Sequence, residues 1–142
     1  MRFSEATGRE VVSTGSARTI GVVSGFVVDP GAGRVEALLL RRTRGEGDTL
    51  LWQDLHAFGQ DVVTVDSDDV LGVGERSERR EHRSSLVGKR VLTDRGDEAG
   101  RVEDVDIDPE DGTVRALITS EGDVHGTRLM AVGSYAAVVR GG

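Results

Sequence analysis

The feature that most constrains this chain is an internal duplication. Gly25 to Leu40, GFVVDPGAGRVEALLL, aligns without a gap on Asp104 to Thr119, DVDIDPEDGTVRALIT. Asp29-Pro30 falls on Asp108-Pro109, Gly33 on Gly112, and Val35, Ala37 and Leu38 on Val114, Ala116 and Leu117. Upstream, GREVV (Gly8 to Val12) falls on GKRVL (Gly88 to Leu92). Downstream, LHAFGQDVVTV (Leu55 to Val65) falls on LMAVGSYAAVV (Leu129 to Val139). Matches in this order mark two copies of one unit. The units are 1–73 and 86–142, and a polar, mixed-charge stretch, 74–85, joins them as a linker or a short helix.

Each unit reads as strands. GREVVS is a short strand, RTIGVVSGFVVD a longer one bent at Gly21 or Gly25, and RVEALLLRR the return strand after the turn DPGAG. TLLWQDL and DVVTVDS supply two more. In the second unit Val102, Val105 and Ile107 are apolar, while Asp104, Asp106 and Asp108 fall on the other face. No stretch carries a helical stripe of useful length. Short strands with glycines at the bends predict an all-β chain: two tandem small β-barrels, each of five to six short antiparallel strands. With 20 glycines and only five aromatic residues, the cores are thin, and a second copy or a partner would help to stabilise them.

Composition narrows the function. The net charge of −7 argues against general binding to nucleic-acid backbones, which needs a positive surface. There is no cysteine, hence no disulfide, thiolate metal site or thiol nucleophile. No apolar run is long enough to span a bilayer and the N-terminus lacks a signal-peptide core. These features predict a cytoplasmic protein able to dock peripherally on a membrane complex. Lys89 is the only lysine among 18 basic residues, an arginine bias of the kind found in GC-rich bacterial genomes.

The repeated pattern resembles the PRC-barrel domain family. The residues that carry the resemblance are GVVSGFVVDPGAG (Gly21 to Gly33) and GRVEDVDIDPEDG (Gly100 to Gly112). The closing segments LHAFGQD and LMAVGSY match as well. Asp29, Pro30, Gly33, Asp108, Pro109 and Gly112 are its fold signature. The family includes the cytoplasmic domain of the reaction-centre H subunit, the C-terminal domain of the ribosome maturation factor RimM and many free-standing bacterial proteins. The resemblance implies a small β-barrel serving as a non-catalytic assembly or docking module. A ribosome- or RNA-associated maturation role is an alternative by the same analogy, and a small-ligand or metal-binding module is another.

The residues themselves offer few sites. Six carboxylates lie between Glu103 and Asp111. Asp104, Asp106 and Asp108 have the spacing of an EF-hand calcium loop, but Pro109 stands where its glycine belongs and Arg115 where its glutamate belongs. The first unit has Gly25 and Val27 in place of Asp104 and Asp106, so the shared feature is the Asp-Pro turn. The expectation is a hairpin with a solvated acidic face, or an edge protected by charge. His56, His82 and His125 lack metal-ligand spacing. No nucleophile elbow or phosphate loop is present, which predicts a non-enzymatic protein with no cofactor. Trp52 is expected to be semi-buried in packing or to anchor an interface. The runs containing Arg41 and Arg42 are the candidates for an anionic partner.

Overall fold

A computed structural model of the chain describes residues 1–73 and 86–141. The expected linker, 74–85, and His82 within it lie outside the described residues. The chain begins with a single helical turn, α1 (Phe3–Ala6). Six strands follow: β1 (Glu10–Ser13), β2 (Thr19–Asp29), β3 (Arg34–Arg41), β4 (Thr49–Leu51), β5 (Leu55–Phe58) and β6 (Val62–Val65). The second unit repeats them as β7 (Arg90–Thr93), β8 (Glu98–Ile107), β9 (Val114–Thr119), β10 (Gly122–His125), β11 (Leu129–Val132) and β12 (Ala136–Val139).

The strand orders, β4-β3-β2-β1-β6-β5 and β10-β9-β8-β7-β12-β11, are the same topology twice. In each sheet the two outermost strands are consecutive in sequence. They are separated only by a three-residue 3-10 turn, Trp52–Asp54 in the first unit and Gly126–Arg128 in the second. Such a turn advances about 6 Å, so the two edges must lie close together and each sheet curls into a barrel-like unit. Two expectations change in detail. One pair in each unit is parallel, β1 with β6 and β7 with β12. TLLWQDL is not one strand, because Trp52 starts the 3-10 turn that rounds the corner.

β2 shows why simple alternation is incomplete. Val22 and Val23, then Phe26, Val27 and Val28, are buried in succession. The register with β3 shifts between Val23 and Gly25 and again between Val27 and Val28. These bulges bend and twist a long strand so that it serves its own barrel on one face and the other unit on the opposite face. The buried residues of both units accordingly form one continuous cluster, from Phe3, Phe26 and Leu38 to Ile107, Leu117 and Val139. Phe3 of α1 packs on Phe26 with ring centroids 4.0 Å apart. Two cores too small to stand well alone are thereby pooled.

The units meet about an approximate two-fold axis. Arg34 and Thr113, equivalent residues just past the two Asp-Pro turns, form an antiparallel bridge. The Val35 amide donates to the Gly112 carbonyl at 2.8 Å, and the Val114 amide donates to the Gly33 carbonyl at 2.9 Å. Each bond is the symmetry image of the other. Gly33 and Gly112 have φ of 67° and 78°, a left-handed conformation that a side chain would strain. Equivalent cations also act alike: the Arg9 guanidinium donates to the Gly59 carbonyl at 2.7 Å, and the Lys89 ammonium donates to the Gly133 carbonyl. Among the described residues no helix is long and apolar enough to cross a membrane.

Candidate functional site

The two-fold relation fails at the corner between the two edge strands, and there the candidate site lies. The 3-10 turns that link β4 to β5 and β10 to β11 begin with Trp52 and Gly126 respectively. In the second unit the turn lies flat against β9. A Cβ built on Gly126 would fall 1.8 Å from the Val114 carbonyl oxygen, so only glycine fits. In the first unit the indole reaches across to the other barrel. A Cβ on Gly112 would lie 3.0 Å from its Cδ2 and Cε2 atoms. The indole stacks on Phe58, centroids 5.5 Å apart and planes within 14°, and the Arg9 guanidinium lies over the Phe58 ring, 5.6 Å from its centroid. Phe58 thus contacts both the Arg9 cation and the indole that reaches the second unit's turn.

Trp52 is therefore semi-buried, as expected, and its packing partner includes the opposite barrel. Its remaining surface forms one wall of an open cleft of about 320 Å³, whose other walls include Asp29, Arg34, Glu36, Leu51 and Gln53. Leu51 is 40% exposed. The cleft thus combines an aromatic and an aliphatic surface with charges of both signs. No three His, Asp or Glu side chains among the described residues are grouped to hold a metal ion.

The acidic hairpin proves to be a joint between the units, which corrects the solvated-face expectation for Asp104 and Asp106. Asp104 is only 9% exposed. Its Oδ1 accepts the Ser4 amide at 3.1 Å and the Val105 amide at 2.8 Å, and its Oδ2 accepts the Ser4 hydroxyl. Asp106 receives the Met1 ammonium at 2.8 Å, while the Ile107 amide donates to the Met1 carbonyl at 2.7 Å. The N-terminal segment of the first unit is thereby laid along β8 of the second. Gly25 and Val27, the first unit's counterparts, carry no such groups, so the extra carboxylates are specific to this contact.

The Asp-Pro turns use their carboxylates locally, as expected. Asp29 Oδ1 accepts the Ala32 amide at 3.2 Å. Asp108 Oδ1 accepts the Glu110 amide at 2.9 Å and Oδ2 receives Arg115 at 2.9 Å. The Thr113 amide, 2.9 Å from Asp111 Oδ1, holds that carboxyl below its ordinary range. Arg41 ends β3 and Arg42 follows it, and both are exposed. The structure does not bring them to the Trp52 cleft, whose lining cation is Arg34. His56 faces Asp66 at 3.0 Å, and His125 Nδ1 accepts the Thr127 amide at 3.3 Å. The joint made by Asp104 and Ser4 was invisible in the sequence because 100 residues separate them.

No curated protein matches the chain. The PRC-barrel domain family matches residues 78–140, and the first unit repeats the second's strand order element for element. The geometry and the family match agree: the second unit of this chain is a PRC-barrel domain.

Proposed function

We propose that the chain is a non-catalytic cytoplasmic adaptor, a two-barrel block that presents the Trp52 cleft to a protein partner. The supporting observation is the break in the two-fold relation at this corner. Where the second unit closes its corner with Gly126, the first raises an indole beside an exposed leucine and leaves a cleft. Asp29, on the cleft wall, is engaged in its own turn, a use of a carboxylate that serves rigidity. A rigid block with one distinctive face holds a partner in a fixed orientation.

The test is a photo-cross-linking residue placed at Gln53 in the native host, compared with the same residue at Thr127, its counterpart in the second unit. The reading expects a discrete protein adduct from Gln53, its loss with Leu51→Glu, and no matching adduct from Thr127. Adducts of equal yield and identity from both positions would overturn it. The ribosome-associated alternative draws on Arg41 and Arg42. It expects sedimentation with ribosomes at low salt that disappears when both are changed to alanine.

A further inference from the structure

Thr49 of β4 and Asp123 of β10 occupy equivalent places on the two edge strands. The Thr49 amide donates to the Gly72 carbonyl at 3.1 Å, and the Gly72 amide donates back to the Thr49 carbonyl at 2.9 Å. The first unit thus seals its own edge with a later piece of the chain. The second unit has the same edge without that seal. Thr119 and Gly122 close the β9–β10 hairpin and Val124 lies opposite Leu117. By the alternation of an antiparallel ladder, the amide and carbonyl of Asp123, and those of His125, point away from β9. Outside the helices and strands themselves, no backbone bond among the described residues reaches the Asp123 amide, the Asp123 carbonyl or the His125 amide, while the His125 carbonyl starts the 3-10 turn that His125 caps. Asp123 and His125 are exposed, while the Val124 side chain between them turns into the core.

We propose that this edge pairs with the same edge of a second copy of the chain, β10 antiparallel to β10. The register follows from the outward groups. Asp123 of one copy must lie opposite His125 of the other, with Val124 on the two-fold axis; each His125 amide then donates to the facing Asp123 carbonyl, and each Asp123 amide shares the facing His125 carbonyl with the 3-10 turn. The side chains fit the same register. His125 Nδ1 is engaged by Thr127, 2.8 Å from its hydroxyl and 3.3 Å from its amide, which leaves Nε2 to face the Asp123 carboxylate of the other copy and, when protonated, to donate to it. The three residues Asp-Val-His are therefore self-complementary when read antiparallel, and pairing joins the two second-unit sheets into one. The dimer stands apart from the Trp52 cleft, on the other unit, and does not depend on what that cleft binds.

Sedimentation equilibrium of the full chain between micromolar and millimolar concentration tests the inference. The wild type is expected to fit a reversible monomer–dimer equilibrium, with slowed exchange of the Asp123 and His125 amides as concentration rises. Asp123→Pro removes an amide that β9 does not use and is expected to leave the folded chain monomeric. Asp123→His alone places two imidazoles opposite each other and is expected to weaken association about tenfold. Asp123→His combined with His125→Asp exchanges the pair, keeps a capping side chain for the 3-10 turn and is expected to restore association. A wild type that is monomeric at every concentration overturns the proposal. So does a dimer that single and double exchanges leave equally strong, and that result decides the matter should Asp123→Pro fail to fold.

Discussion

Replacing Asp104 by alanine probes whether the acidic hairpin is a joint or a decoration. The wild-type carboxylate accepts three hydrogen bonds, from the Ser4 amide, the Ser4 hydroxyl and the Val105 amide. Hydrogen bonds to a charged group contribute about 1.5–3 kcal/mol each. Two effects reduce the sum: alanine avoids the cost of desolvating a carboxylate, and Ser4 is exposed, so its freed groups regain water. The Val105 amide, in a buried strand position, has no such recourse. The net loss expected is about 2–3 kcal/mol. For a chain of this size each kcal/mol moves Tm by about 3–4 °C, which places the mutant roughly 6–12 °C below wild type. Asp104→Asn keeps an acceptor for the two amides and should recover about half of the loss. Urea denaturation of Asp104→Ala, Ser4→Ala and the double variant should give a coupling energy of about 1 kcal/mol. Glu103→Ala, at an exposed neighbouring site, should change stability by less than about 0.5 kcal/mol. If Asp104→Ala behaves like Glu103→Ala, the joint contributes nothing and the argument fails.

Three further outcomes are expected. Gly126→Ala places a Cβ 1.8 Å from the Val114 carbonyl oxygen, which only backbone movement relieves, so it should cost about 3 kcal/mol or more in thermal denaturation; a near-neutral result would contradict the flat packing of that turn. Burial holds the Lys89 ammonium below its ordinary value of 10.5, yet it donates to Gly133 as Arg9 does to Gly59. Lys89→Arg should therefore stay within about 0.5 kcal/mol of wild type, whereas Lys89→Met should lose about 1 kcal/mol by urea denaturation. For Asp111, held below 3.8 by the Thr113 amide, the folded chain binds the proton more weakly than the unfolded chain. Its contribution to stability is present above 3.8 and is lost as pH falls through the lowered folded value. A carboxyl NMR titration should place its midpoint below 3.8, and a midpoint at or above that value would refute the role of the amide.

The sequence made the architecture legible because a repeated unit exposes its own signature. Asp29-Pro30 and Gly33 against Asp108-Pro109 and Gly112 mark the same turn twice, and comparison of the copies weighed against the calcium-loop reading. The parallel pairing of β1 with β6 was not legible, since either orientation serves a short apolar strand. The corner at Trp52 was hidden because TLLW has the composition of a strand, although the glycine at its counterpart, Gly126, hinted that the position was special. The partners of Asp104 and Asp106 were beyond reach for a different reason. A carboxylate on a strand looks solvated until the element that covers it is placed, and α1 comes from the other end of the chain.

The reciprocal bonds between Val35 and Gly112 and between Val114 and Gly33 carry an evolutionary consequence. They are the contact pattern of a symmetric homodimer, in which every substitution is made twice and must be tolerated at both places. Written into one polypeptide, the same contact admits substitutions in one half alone. A tryptophan at both corners would collide with the Val114 carbonyl beside Gly126. A glycine at both would remove the stack on Phe58 and the wall of the cleft. Duplication with fusion is what allows the chain to hold a large residue and the smallest one at the same architectural position, and so to keep a symmetric scaffold while acquiring a single distinguishable face.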